Sequence, residues 1–368
     1  MPAIRDLRQR FLTTGAVLAA VVVVLLLWLA SSRVSGVLQR QADDRGQDLA
    51  ARTAALVTHY LSERRREAEV LASLPTVVAA TREAAQRAPE ASGQPIPDIE
   101  RQFAGTRALG GPPELVSFIR GYPARGDFAE VFFTEPRGFV VVSSGRTSDF
   151  VQSDEAWWQQ AMADGMYEGE PQYDSSAAAV SIEYDVVVRA TPNARPLGVL
   201  KAVFRLDRLA AGIRAADLSG DATLQVVDRH GHMVVTPDPA DLLETLPNVQ
   251  LIPRGEAPTV SHIGAGDSAQ LVVTVPAHDG RWWVVYRQPA SAAYAAGRAT
   301  QRYIWLGALA VLVVAAGLLV GLATWLNQRV TQPVRAAGEI ASKVAGGDLS
   351  VTLTTQRANT AEVGELFS

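Results

Sequence analysis

Cysteine is absent from the 368 residues. Disulfides, thiolate metal sites, iron–sulfur clusters and cysteine nucleophiles are therefore excluded. Long basic runs are also missing, and the formal net charge is only −4. A nucleic-acid partner, which needs a concentrated positive footprint, is not supported. No Gly-x-x-x-x-Gly-Lys-Ser/Thr loop, His-Glu-x-x-His helix or Gly-x-Ser-x-Gly elbow occurs. The chain thus lacks the usual phosphate cradle, zinc-hydrolase pair and serine nucleophile. Catalytic residues, metal ligands and cofactors are all expected to be none. The acidic pairs Asp154-Glu155 and Glu183/Asp185 read as solvated, and His230-Gly231-His232 reads as a solvated turn rather than a chelate.

Charge itself is missing from two long blocks. No charged residue lies between Phe11 and Ser32, or between Tyr303 and Gln328. Each block exceeds the roughly 20 residues a helix needs to cross the hydrocarbon core. Arg5, Arg8 and Arg10 precede the first block, and Arg329 and Arg335 follow the second. Positive residues favour the cytoplasmic side, so residues 33–302 face outward. Trp28, Tyr303, Trp305 and Trp325 stand near the block ends, where interfacial aromatics belong. A cleaved signal peptide is the competing account of the first block; the length of that block and the weak small-residue site near Ala30 argue against it. Either outcome leaves the remaining topology the same.

Between the blocks the hydrophobic period changes. Leu49, Leu56, Tyr60 and Leu71 recur at roughly helical spacing, and Pro75 is a plausible stop. Such a helix needs a partner for its stripe, from the following domain or from a second subunit. Residues 90–97 are rich in Pro, Gly and Ser and read as a loop. Phe128–Thr134 and Gly138–Ser144 are apolar runs joined by Glu135-Pro136-Arg137, a hairpin pattern. Ser181–Val188 and Leu197–Leu206 form a second pair, preceded by a loop-rich insert carrying Trp157, Trp158, Tyr167 and Tyr173. The arrangement repeats in Ala222–Val227, His232–Thr236, Gln270–Val275 and Arg281–Arg287. Two successive four-strand antiparallel units with helical packing make an α+β tandem.

These residues resemble the double Cache (PAS-like) sensor of bacterial transmembrane receptors. The resemblance rests on Phe132-Phe133-Thr134-Glu135-Pro136-Arg137-Gly138, Trp157-Trp158-Gln159-Gln160-Ala161 and Tyr173-Asp174-Ser175. It continues through Gly198-Val199-Leu200-Lys201-Ala202, Val226-Val227-Asp228 with Gly231, and Trp282-Trp283-Val284-Val285 ending in Gln288-Pro289. After the second block, Val334, Ala337, Ala341 and Val344 keep an alternating three-and-four spacing. With Pro333, Ile340, Gly347-Asp348-Leu349, and Glu362 and Gly364 of a second helix, this segment resembles a HAMP relay domain. The chain stops as that second helix opens, so a fragment or truncated product is expected, with any output domain lying beyond residue 368.

The fold class implied is α+β, with two transmembrane helices flanking a long helix plus tandem PAS-like antiparallel sheets, followed by a HAMP coiled-coil segment. The boundaries expected are 1–10 for a cytoplasmic N-terminus, 11–32 and 303–328 for the spans, and 33–75 for the long helix. Residues 76–215 form a membrane-distal Cache unit, 216–302 a proximal one and 329–368 the truncated HAMP domain. Such a chain is a multi-pass receptor of the bacterial inner membrane with its sensor outside. It homodimerises in the lipid bilayer, binds a small molecule, and relays the change to a cytoplasmic partner or missing output domain. A membrane histidine kinase or diguanylate cyclase lacking its catalytic part, and an anchored binding or adaptor protein, are the alternatives.

Ligand capture calls for an aromatic wall with a few polar groups. Trp157, Trp158, Tyr173, Asp174, Tyr184 and Arg146 are the candidates. Relatives that take amino acids carry an arginine two residues before the Trp-aromatic pair and an aspartate on the strand after the Gly-Val turn. Those positions here are Glu155 and Val203. On that ground an α-amino acid ligand is expected to be excluded.

Overall fold

The computed structural model describes residues 2–88, 94–174, 179–216, 218 and 221–345. The chain divides into two compact units, Met1–Ser35 with Arg298–Ser368, and Gly36–Gly297.

In the first unit, helices α1 (Pro2–Ser73, which also enters the second unit) and α8 (Ala295–Leu326) are long and apolar enough to cross a membrane. Their large apolar side chains, among them Leu26, Val313 and Leu318, are exposed. After α8 the helix widens into a π turn over Asn327–Thr331 and continues as α9 (Gln332–Ala345). Pro333 explains the widening: it has no N–H to donate, and its ring crowds the carbonyl four residues back. Val334 and Ile340 lie on α9, as does Val344. Gly347, Asp348, Leu349, Glu362 and Gly364 lie outside the described residues.

The second unit opens with the rest of α1. Its buried stripe is Ala50, Ala54, Val57, Leu61, Ala68, Leu71 and Ala72, a spacing near 3.5 that keeps one face inward. The partner for this stripe is the following domain, since these residues share one core with both sheets. Small residues allow a close approach; a Cβ on Gly46 would stand 2.9 Å from the Tyr286 ring. Leu56, expected in the stripe, is exposed. Pro75 does more than stop α1. It occupies the first turn of α2 (Pro75–Arg87), where the missing N–H is unpaired in any case. Helices α3 (Ile96–Gln102) and α4 (Pro113–Arg120) follow; Ile96 falls inside the stretch expected to be loop.

The first sheet contains β1 (Phe128–Thr134), β2 (Val140–Ser143), β3 (Met166–Glu168), β4 (Gln172–Asp174), β5 (Ala179–Val188) and β6 (Gly198–Arg205). Its order is β2-β1-β6-β5-β3, with β4 also on β5. Helix α5 (Ala156–Asp164) interrupts it between β2 and β3, so the expected insert is a helix and two short strands. Helix α6 (Asp207–Arg214) leads to the second sheet: β7 (Thr223–Val227), β8 (Met233–Val235), β9 (Thr259–Ile263), β10 (Gln270–Ala277) and β11 (Trp282–Pro289). Its order, β8-β7-β11-β10-β9, repeats that of the first. The four-residue α7 (Ala290–Ala293) leads into α8.

Both sheets turn their first hairpin with the same device. Glu135 and Asp228 are buried carboxylates just beyond β1 and β7. Glu135 accepts from the backbone N–H groups of Arg137 (2.8 Å) and Phe139 (3.2 Å). Asp228 accepts from those of His230 and His232, both 2.8 Å. Three residues past each acid stands a glycine, Gly138 at φ 85° or Gly231 at φ 88°, in the region other residues avoid.

Candidate functional site

Successive residues of a strand face opposite sides, and directly paired residues share a side. In the first sheet this rule separates two chemistries. One side carries Val131, Phe133, Ile182, Tyr184, Leu200, Ala202 and Phe204 into the core shared with α1. The other carries Phe132, Val187 and Val199 into a smaller core covered by Trp157, Trp158 and Ala161 of α5.

The α5 side also holds a charged group. Lys201 on β6 pairs across the ladder with Phe132 on β1 and with Asp185 on β5. Asp185 in turn pairs with Tyr167 on β3. Val203, two residues beyond Lys201, pairs with Glu130 and Glu183. The Lys201 ammonium is ion-paired with Glu183 and sits 4.2 Å from the Trp157 ring centre, within cation–π range. Phe132 meets the same indole edge-on at 6.0 Å.

Asp185 is fully buried, and neither of its oxygens has a hydrogen-bond partner among the described residues. Burial pushes its carboxyl well above the usual range; Lys201 opposes the shift and Glu183 adds to it. Glu130 is raised for the same reason, by burial first, with Lys201 opposing and Asp174 and Glu183 adding. The Tyr167 hydroxyl is raised by burial, then by Glu183 and Asp185. The Lys201 ammonium thus acts on Glu130 and Asp185 and is paired with Glu183, while Asp174 adds its charge at Glu130.

The candidates named from sequence are placed unevenly. Trp157 and Asp174 belong to this neighbourhood. Trp158 is buried beside it and donates its indole N–H to Thr134 Oγ1 at 2.9 Å. Tyr184 is fully buried on the opposite side of the sheet. Tyr173 is 61% exposed. Arg146 is exposed and donates to the Ala104 carbonyl at 2.9 Å. The reading of Glu183 and Asp185 as a solvated pair is corrected, because alternation turns both beneath α5. Sequence reasoning also missed Glu130 and Lys201. Lys201 is one of only two lysines among the 34 basic residues and interrupts an apolar strand, a signal that register alone could have connected to Asp185.

The side facing α1 carries a second polar group, linking the two sheets. Glu168 on β3 accepts hydrogen bonds from the Tyr184 hydroxyl and from His278 Nε2, in the turn between β10 and β11. Arg281 Nη1 adds an ion pair at 2.9 Å. The His278 backbone N–H donates to Thr58 Oγ1 of α1 at 2.9 Å. Burial alone would raise the Glu168 carboxyl, but the His278 hydrogen bond and charge, Tyr184 and Arg281 together hold it below the usual range. A third group joins Asp43 of α1, His262 of β9 and Tyr294: the Tyr294 hydroxyl donates to Asp43 Oδ1 at 2.9 Å and lies 2.6 Å from His262 Nε2.

No protein-family model and no curated protein matches the chain. Solved structures do resemble it, and they are ligand-binding domains of bacterial chemoreceptors. The domain of the Pseudomonas aeruginosa PAO1 amino acid chemoreceptor PctC with GABA is 20% identical; the match covers 67% of this chain and 99% of that one at a TM-score of 0.46. That of Pseudomonas fluorescens CtaA with L-leucine is 14% identical over 70% and 99%, TM-score 0.47. That of Campylobacter jejuni Tlp3 with 4-methylisoleucine is 12% identical over 70% and 94%, TM-score 0.47.

One expectation is overturned here. An α-amino acid was excluded because Glu155 and Val203 occupy the clamp positions, yet the similar structures hold amino acids, including L-arginine and asparagine. The physical fault lies in the inference: two positions test one way of holding such a ligand. Polar groups of both kinds stand elsewhere beneath α5, the Lys201 ammonium with its partner Glu183 and the buried Asp185 carboxyl.

Proposed function

We propose that this chain is a transmembrane receptor of the bacterial inner membrane that senses a small molecule on the α5 side of its first sheet. Its ends are cytoplasmic and the sensor lies outside. The single observation that carries this reading is the fully buried Asp185, on the same side of the sheet as Lys201 and Trp157 and without a hydrogen-bond partner among the described residues. A site that takes small ligands joins an aromatic wall to a few fixed polar groups. Amino acids and related compounds such as GABA are the first ligands to try.

Ligand binding then shifts α1 against the two sheets within a homodimer, and α8 and α9 carry the change into a HAMP segment that includes Pro333, Val334, Ile340 and Val344. The ligand can move this equilibrium only by its difference in affinity for the two states. Full reversal of a strongly biased switch needs about 5.5 kcal/mol.

The test uses the full chain in detergent micelles, with thermal unfolding followed against a broad metabolite panel. A ligand at a hundred times its dissociation constant stabilises by about 2.7 kcal/mol. The expected result is a shift that Trp157→Ala abolishes; no shift from any metabolite refutes sensing at this site. Because the chain has no native cysteine, single cysteines at Val334 and Ile340 report on the relay. Their crosslinking between subunits should change with ligand.

A further inference from the structure

The second sheet carries polar groups that sensing on the first sheet does not use. One of its sides faces α1 through Val226, Leu271, Val273 and Val284. The other holds a smaller core of Val227, Met233, Val272 and Val285. Gln225 pairs with Val285 and Arg287 with Val272, so both belong to that second side. Arg287 also pairs with Thr223, two residues from Gln225, which makes the two long side chains diagonal neighbours. Thr236 follows β8 one step past the Val226–Val235 pair, and alternation sets it beside Gln225.

None of these three groups has a good protein partner. Thr236 is 1% exposed, and its hydroxyl is unpartnered among the described residues. The Gln225 amide donates at 3.2 Å to the Met233 thioether, a weak acceptor. The Arg287 guanidinium has a single hydrogen bond among the described residues, to the Pro247 carbonyl at 3.5 Å, the limit of useful length. Burial lowers its pKa, and no aspartate or glutamate lies on any strand of this sheet to answer its charge. The segment that supplies Pro247 is held firmly farther along. There the Pro253 carbonyl accepts from Thr274 Oγ1 at 2.7 Å and the Gly255 carbonyl from Trp283 Nε1 at 3.0 Å. The covering is therefore loose only over Arg287.

We infer that this side of the second sheet is a second binding site, for the carboxylate of a small organic acid. Arg287 supplies the opposite charge and two parallel N–H donors that match a carboxylate. The Gln225 amide and the Thr236 hydroxyl supply further donors on the same face. An ammonium there meets a like charge, and a neutral ligand leaves the guanidinium unanswered. One cation suits the single charge of a carboxylate better than the nearly double charge of a phosphate. The acid takes the place of the Pro247 carbonyl, the weakest of the three bonds that hold the covering segment.

The experiment measures binding by calorimetry to the full chain in detergent micelles. The probes are acetate, L-lactate and succinate, each with its neutral amide, and inorganic phosphate. At least one carboxylate should bind while its amide does not. Arg287→Gln should weaken that binding about 30-fold, as expected for hydrogen bonds to a charged group. Thr236→Val, which keeps the shape, should weaken it about fivefold. The unliganded Thr236→Val protein should melt no lower than wild type, which separates lost recognition from lost folding. Binding by none of the three acids overturns the inference, as does an amide or phosphate that binds as well as the acids. Affinity of Arg287→Gln within threefold of wild type also overturns it. Binding that survives Arg287→Gln and is lost in Trp157→Ala assigns the acid to the first sheet instead, which leaves the receptor reading standing without a second site.

Discussion

The junction at Glu168 makes the sharpest energetic demand on this structure. Its side chain is 10% exposed and serves Tyr184 on the first sheet and His278 from the second. In Glu168→Gln the His278 and Tyr184 donors face a neutral amide, half of which is itself a donor. Hydrogen bonds to a charged group contribute about 1.5–3 kcal/mol each, and breaking one side of a buried pair costs about 3–5 kcal/mol. Arg281 is 55% exposed and adds little. A loss of about 3–5 kcal/mol is expected. At about 2–4 °C per kcal/mol for a domain of this size, the melting temperature should fall by roughly 10 °C.

The pH dependence has a definite sign. The folded carboxyl of Glu168 lies below its ordinary value. Its contribution is therefore present above the unfolded pKa of about 4.3 and is lost as pH falls through the folded value. Wild type and Glu168→Gln should differ fully at pH 7 and converge as the pH drops below about 4. Tryptophan fluorescence during thermal unfolding of the full chain in detergent micelles, at pH 7, 5, 4 and 3.5, measures this. A deficit under about 1 kcal/mol at pH 7, or one unchanged at pH 3.5, would refute the claim that Glu168 pins the sheets together.

Three further outcomes are expected. Gly198→Ala places a Cβ 1.8 Å from the Thr134 carbonyl oxygen; with backbone on both sides it should cost at least about 1–3 kcal/mol, and an unchanged denaturation midpoint would contradict it. Tyr294→Phe removes the hydroxyl that joins Asp43 to His262; it should cost about 1 kcal/mol and speed amide exchange along Thr259–Ile263, whereas wild-type protection there would sink the idea. The folded Asp185 carboxyl is raised, so its stabilising effect is complete below the unfolded pKa of about 3.9 and is lost as pH rises through the folded value. Asp185→Asn should accordingly be more stable than wild type at pH 7 by about 1–3 kcal/mol, with the advantage vanishing near pH 4, and a variant no more stable at pH 7 would count against a strained acid.

The strands were legible because alternation and turn chemistry are local. Phe128–Thr134 was read to the residue, and Glu135-Pro136-Arg137 marked its hairpin. Helix α2 left no such trace, since Pro75 served as a stop signal and also as a first-turn residue. The site was less legible than the strands, because which side chains meet depends on register. The β1 ladder shifts between Phe128 and Glu130 and again between Phe133 and Thr134. Each shift alters which residues share a side, and no short-range pattern announces it. Tyr184 and Asp185 are neighbours in sequence, and only the ladder decides which one lies beneath α5.

That same one-residue alternation supplies a physical route from the α5 side of the first sheet to the sheet junction. Tyr167 and Glu168 are adjacent on β3; Asp185 and Tyr184 are adjacent on β5 and pair with them in that order. The β3–β5 ladder thus presents Tyr167 and Asp185 to the α5 side, and Glu168 and Tyr184 to α1 and the second sheet. A displacement of the ladder driven at Asp185 must move Glu168, because the two are linked by backbone and not by flexible side chains. Glu168 meets His278, whose own N–H is held by Thr58 on α1, and hydrogen bonds weaken steeply once bent or stretched. Two discrete arrangements, bonds made or bonds broken, are what a switch needs. On this account Glu168→Gln uncouples the sensor while leaving the proposed site beneath α5 intact. Its ligand affinity should stay close to wild type as the ligand-dependent crosslinking at Val334 and Ile340 disappears, and a variant that bound normally and still switched would show that the signal travels elsewhere.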